Sequence, residues 1–144
     1  MTESGERFAG ALHNTARAWR QAVDRRLRHL GLSQAGWMTI AVAAKARSPL
    51  SQSELADRLG VEGATMVAMI DRLVKAGLVN RAPSSTDRRV KHIVLTEAGR
   101  RLYETVQAAA AAVRRELLAD VDPKDLETAT RVLETLQSLI DASP

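Results

Sequence analysis

With 144 residues the chain has enough material for one compact domain but hardly for two independent cores. It contains no cysteine, which excludes disulfides, thiolate metal sites and cysteine-based redox sensing. The N-terminus lacks an apolar signal core and no run approaches the ~20 apolar residues of a membrane span, so a cytoplasmic protein with no membrane partner is expected.

The net charge of +4 is unevenly placed. Residues 1–30 carry six arginines against Glu3, Glu6 and Asp24, and residues 45–95 carry nine basic side chains against five acidic ones. From Thr96 onward the balance reverses, with six basic against nine acidic. Such polarity suits a protein that docks one end on a polyanion. The only aromatic residues are Phe8, Trp19, Trp37 and Tyr103, so alanine and aliphatic side chains must fill the core, a composition that favours helices.

In chain order, Met1 to Arg7 is polar and expected to fray. From Phe8 an apolar stripe of Leu12, Thr15, Trp19, Val23 and Leu27 predicts a long helix closed by Leu30 and Gly31, with Arg17, Arg20, Arg25 and Arg28 on its other side. Ser33 is a good N-cap for a second helix carrying Trp37, Ile40, Ala41 and Ala44 to about Ala46. Arg47 to Leu50 then reads as an extended connection, and Leu50 is placed to lend a short strand to a later hairpin.

Ser51 and Glu54 have the spacing of a capping box, Leu55, Ala56 and Leu59 give an apolar face, and Gly60 ends this third helix. The turn over residues 60–62 leaves room only for an angled helix pair. The next helix spans Gly63 to about Ala76, with Val67, Ile70, Leu73 and Val74 as its core face and Gly77 as its stop. Thr65, Ala68, Met69, Asp71, Arg72 and Lys75 fall on its other face. This is the outline of a helix-turn-helix, whose second helix enters a DNA major groove. Gly63, Ala64 and Ala68 allow close approach but offer no hydrogen bonds. Thr65 is therefore the best single candidate for a base or phosphate contact, and Met69 for a thymine methyl. The plainer reading packs Met66 and Met69 in the core.

Two β-prone runs, Leu78 to Arg81 and Val90 to Leu95, bound a polar loop and predict a hairpin. Ile93 and Leu95 share one face, while Lys91 is free for solvent or phosphate. Arg88 and Arg89 sit at the tip, where a cationic side chain can enter a minor groove, and Asp87 is placed to hold one of them in a fixed pose. A solvated charge run is the plainer reading. Ser51 and Arg81 complete the set of expected DNA contacts.

Thr96 can cap a fifth helix marked by Leu102, Val106, Ala109, Val113 and Leu117. Asp122 and Pro123 are a cap followed by proline at the first helical position, and they start a last helix that ends near Asp141. The outer helices present more apolar surface than so small a module can cover. A second copy would bury it, with Phe8, Leu12, Val113, Leu117, Leu126, Val132, Leu133, Leu136, Leu139 and Ile140 as dimerisation candidates; a helical core closed within one chain is the alternative. The predicted fold is mainly α, a winged helix-turn-helix core with long N- and C-terminal dimerisation helices, in the order α-α-(β)-α-α-β-β-α-α. An N-terminal arm (1–33), a reading module (34–96) and C-terminal helices (97–144) are expected to form one compact unit.

Ser51 to Val61, Ile70 to Arg81, and Asp87-Arg88-Arg89 running into Val94 to Gly99 together resemble the MarR family of bacterial winged-helix regulators, in particular its SlyA-like branch. The resemblance implies a homodimer that binds a pseudo-palindromic double-stranded operator and usually represses a nearby gene. It implies that Asp87 and Arg89 are the wing's Asp-x-Arg element, with the arginine in the minor groove. It also implies a small aromatic acid or phenol as effector, bound between arms and module. That cleft would be bordered by His13, Trp19, Trp37 and Arg47, with Arg17 or Arg20 facing a carboxylate. The chain departs from the common pattern at Ala68 and near Met66, where polar residues are usual.

An enzyme is not expected. His13, His29 and His92 lie on three separate elements, and there is no phosphate loop or nucleophile motif and no requirement for a metal or cofactor. A winged-helix interaction or structural module without operator binding is the competing reading; it would lack the steep salt dependence of a DNA binder.

Overall fold

The computed structural model describes residues 2–144, and its first helix begins earlier than the sequence suggests. Thr2 accepts a hydrogen bond from the Gly5 amide at 3.3 Å, and Glu3 and Glu6 lie in the first turn of α1 (Glu3–Leu27). Both features favour a helix N-terminus, so residues 3–7 are helical where fraying was expected; Met1 lies outside the described residues. The chain divides into two compact units, one running through Ala111 and one from Ala112 to Pro144.

In the first unit α1 buries only Val23 and Leu27, while Phe8 and Leu12 stay exposed. A 3-10 turn at Arg28–Leu30 and Gly31, at φ 71°, lead toward α2 (Gln34–Lys45). The Ser33 side chain caps this helix by accepting from the Gly36 amide at 3.1 Å. Trp37 and Ile40 are buried, and Trp37 Nε1 donates to Asp24 Oδ1 at 2.8 Å, tying α2 to α1.

The expected module follows: β1 (Leu50–Ser51), α3 (Gln52–Leu59), α4 (Gly63–Lys75), β2 (Val79–Pro83) and β3 (Lys91–Leu95). Leu50 pairs with Ile93, so the third strand is present, and the sheet order is β1-β3-β2. Strand β2 runs on to Pro83, which pairs with Lys91. The sequence placed Pro83 in the loop, but β2 is an edge strand, where a missing N–H costs no ladder bond. Leu55 and Ala56 of α3, Met66, Met69, Ile70 and Leu73 of α4, and Val79, Ile93 and Leu95 of the strands join Ile40 and Leu50 in one core.

The face of α4 is rotated from its expected setting. Met66 and Met69 are 2% and 7% exposed, whereas Val67 is 41% exposed. Met66 and Met69 therefore pack in the core, as the plainer reading has it, which takes Met69 away from a thymine methyl, while Val67, expected on the core face, faces outward.

A tight joint follows β3. The Thr96 amide donates to the Leu78 carbonyl at 3.0 Å and Thr96 Oγ1 donates to the Gly77 carbonyl at 2.6 Å, while the Gly99 amide donates to Thr96 Oγ1 at 3.1 Å. A Cβ on Gly99 would overlap the Leu78 carbonyl. Here glycine is required by contact, because the backbone itself occupies the space of a side chain.

Helix α5 (Glu97–Leu118) buries Val106 and Val113. In the second unit Asp122 caps α6 (Pro123–Asp141) by accepting from the Lys124 amide at 2.7 Å. No residue of α6 is buried, and Leu126, Val132, Leu133, Leu139 and Ile140 are all exposed, with Leu136 half-buried. Of the dimerisation candidates, Val113 alone is already covered, at 2% exposure.

Candidate nucleic-acid interface

Ser51 closes the capping box of α3: its Oγ accepts from the Glu54 amide at 3.1 Å, and its own amide donates to Glu54 Oε1 at 3.1 Å. The Ser51 backbone and side-chain hydrogen bonds hold the Glu54 carboxyl below its ordinary 4.5. The Ser51 hydroxyl, expected at DNA, is thus engaged in ordering the helix. Gly60, at φ 67°, then turns the chain toward α4.

Helix α4 has a buried face and an open one. Gly63, Ala64, Thr65, Ala68, Asp71, Arg72 and Lys75 are exposed. Its N-cap residue, Glu62, makes no side-chain capping bond. The first-turn amides therefore lie beside small residues, where an anionic oxygen can approach. Arg72 and Lys75 occupy the last turn, where positive charge also complements the helix dipole.

Two of the expected wing features are present together. Asp87 Oδ1 accepts from the Arg89 amide at 3.0 Å and from Arg89 Nε at 3.3 Å, while the Arg89 side chain remains 92% exposed. Arg88 and Lys91 are also exposed. Below the tip sits a residue that the sequence reading passed over. Ser84 is buried, and its Oγ accepts from the amides of Thr86 at 3.2 Å and Asp87 at 3.4 Å. The Pro-Ser-Ser-Thr-Asp run carried the signal for such a side-chain turn.

Arg81, expected among the DNA contacts, is turned inward. Its Nε donates to Gln52 Oε1 at 2.8 Å and its Nη2 donates to Asp71 Oδ1 at 2.7 Å. The strand directs this side chain over α3 and α4, where two oxygen acceptors hold the guanidinium.

Known proteins similar to this chain share its fold. The sequence profile of the MarR family matches residues 43–91, from the end of α2 through the wing. The crystal structure of transcriptional regulator PA3341 is 40% identical, covering 94% of this chain and 99% of its own, with a TM-score of 0.88. The chain belongs to the MarR family. CouR from Rhodococcus jostii RHA1, solved bound to p-coumaroyl-CoA, is 25% identical with a TM-score of 0.80, covering 95% of this chain and 94% of its own. AbsC from Streptomyces coelicolor, a MarR family transcriptional regulator 21% identical over 99% of this chain and 98% of its own, shares the fold at a TM-score of 0.81. MarR-family members are DNA-binding transcriptional regulators, and this chain has their winged-helix fold.

The residues expected to line an effector cleft are not gathered in one place in this MarR-family chain. His13 and Arg17 border a shallow cleft with Arg20 on α1, and Arg47 borders a different one with Pro49 and Arg100. Trp19 is half-buried, and Trp37 is a core residue whose indole N–H is held by Asp24. A cavity of about 450 Å³ instead opens beneath the start of α4. Its apolar lining includes Met38, Met66 and Met69, with Thr65 at the α4 side and Arg20 and Arg58 as its two cations. Only Arg20 was anticipated, because Arg58 and the methionines come from elements that meet only in the fold. No helix among the described residues is long and apolar enough to cross a membrane.

Proposed function

We propose that this MarR-family chain is a cytoplasmic homodimeric repressor that binds a pseudo-palindromic double-stranded operator. Residues 34–96 form its reading module, and the helices of 1–33 and 97–144 supply the dimer contacts. The observation that carries the reading is the pairing of an open α4 face with an Arg89 held in place by Asp87 at 3.3 Å yet 92% exposed. In this reading Thr65, with Gly63, Ala64 and Ala68 around it, approaches the major groove, and Arg72, Lys75 and Lys91 meet phosphates. Arg88 and Arg89 serve the minor groove. Small residues at the front of α4 give weak direct readout, so groove width at the wing contributes much of the sequence preference.

The ≈ 450 Å³ cavity is the proposed effector site. Its sulfur-rich walls suit an aromatic body, and Arg20 and Arg58 suit a carboxylate, phenolate or thioester-linked anion. CouR, bound to p-coumaroyl-CoA, supports that ligand class. A ligand here would touch Met66 and Met69 on the inner face of α4 and so release DNA by displacing that helix.

Selection of bound fragments from the source genome, followed by a salt titration on the selected duplex, tests the reading. Operator affinity should fall steeply with salt, and Arg89→Ala should weaken it by about 1–3 kcal/mol while the dimer stays intact. Salt-independent binding, or an Arg89→Ala variant equal to wild type, rules this reading out. For the effector, hydroxycinnamates added to the complex should release the duplex, and Arg58→Ala should blunt the release.

A further inference from the structure

Three elements of the reading module meet at one guanidinium. Arg81, on β2, donates through Nε to Gln52 Oε1 at 2.8 Å, at the first residue of α3. Through Nη2 it donates to Asp71 Oδ1 at 2.7 Å, midway along α4, and the same nitrogen lies 3.5 Å from the Val67 carbonyl. The Arg81 side chain is 28% exposed, against 92% for Arg89. A planar fork with two of its edges engaged fixes both partner directions at once, which a lysine ammonium cannot do. Asp71 is the other unusual member. It is a 62% exposed carboxylate on the face of α4 that, on the proposed function, turns toward a polyanion.

We infer that Arg81 is a positioning residue and Asp71 its anchor. Together with Gln52 they lock the root of the wing against α3 and α4, so that recognition helix and wing meet the duplex as one body. Arg81 makes no phosphate contact of its own. The inference rests on the proposed DNA-binding role and assigns the carboxylate a reason to stand where long-range electrostatics disfavours it.

The test turns on a sign. Removing a negative charge from a DNA-facing surface strengthens binding if only electrostatics matters. If the clamp matters, Asp71→Ala weakens it. The duplex that the wild-type dimer selects from genomic fragments is labelled, and its affinity is measured by fluorescence anisotropy over a salt series. Asp71→Ala should bind about tenfold more weakly at fixed salt, the scale of a charge-assisted hydrogen bond. Asp71→Asn, which keeps an acceptor oxygen, should recover part of the loss. Arg81→Met, which removes the charge, should also bind more weakly, with an unchanged slope of log K against log salt; loss of a phosphate contact would reduce that slope by about 0.9. Should Asp71→Ala fail to fold, Gln52→Ala removes the other leg and should also weaken binding. Tighter or unchanged binding by Asp71→Ala, unchanged binding by Gln52→Ala where it replaces that variant, or a reduced slope for Arg81→Met overturns this inference alone. A wild-type chain with no salt-dependent duplex binding overturns the proposed function, and this inference with it.

Discussion

The reading module and the outer helices carry similar numbers of apolar side chains but use them differently. In the module, Leu55, Ile70, Leu73 and Val79 are 0% to 1% exposed, so the chain closes that core with its own residues. On α6, Leu139 and Ile140 are 63% and 66% exposed, and on α1 Phe8 and Leu12 are each 43% exposed. Amphipathic stripes of this size left in water forfeit most of the ~25 cal/mol per Å² that burial contributes. The contrast separates a part of the sequence that closes a core with its own residues from one whose stripes, in the proposed homodimer, a second chain would cover.

Four experiments break or sharpen that contrast. The largest effect is expected from Leu139→Asp combined with Ile140→Asp, which places charge in the proposed interface at a cost of several kcal/mol. Sedimentation should show a monomer, and the thermal midpoint should lose the concentration dependence expected of wild type. Next, Ile70→Ala removes a fully buried side chain and should cost about 2–5 kcal/mol in urea unfolding, with the same loss at every protein concentration. Gly99→Ala should cost roughly 1–3 kcal/mol, because its methyl group meets the Leu78 carbonyl and the joint after β3 must open.

The smallest effect belongs to the α3 cap. Ser51→Ala should cost about 1 kcal/mol. The Glu54 carboxyl is held below 4.5 in the folded chain, so its contribution is present above that pH. It disappears as pH falls through the lower folded value, where the carboxylate takes up a proton. The stability difference between wild type and Glu54→Gln should therefore be open near neutrality and close in acid, as followed by circular dichroism melts.

Local devices were legible in the sequence. Ser51 with Glu54, Gly60, Gly77 and the Asp122-Pro123 pair each act on residues within a turn, so their spacing alone places the helix ends. That Asp87 holds one of the tip arginines was legible for the same reason, and the fold selects Arg89. The rotation of α4 was not. Stripes through Met66 and Met69 or through Val67 and Val74 share Ile70 and Leu73, and helical periodicity allows both. Packing against α2, α3 and β2 decides between them. The anchoring of Arg81 was not legible either, because its partners lie 29 and 10 residues away, at separations carrying no local signal. The cavity beneath α4 shares that origin, since Arg58, Met38 and Met69 meet only when three helices pack.

Ser84 shapes the wing tip from within the loop. With its hydroxyl accepting two amides of the loop at 3.2 and 3.4 Å, the bend that presents Arg88 and Arg89 is settled in the free protein. On the proposed DNA-binding role, a fingertip already bent to shape would surrender little backbone entropy on insertion, leaving more of each arginine's attraction as affinity. Two oxygens brace the tip, Ser84 Oγ beneath the bend and Asp87 Oδ1 beside Arg89.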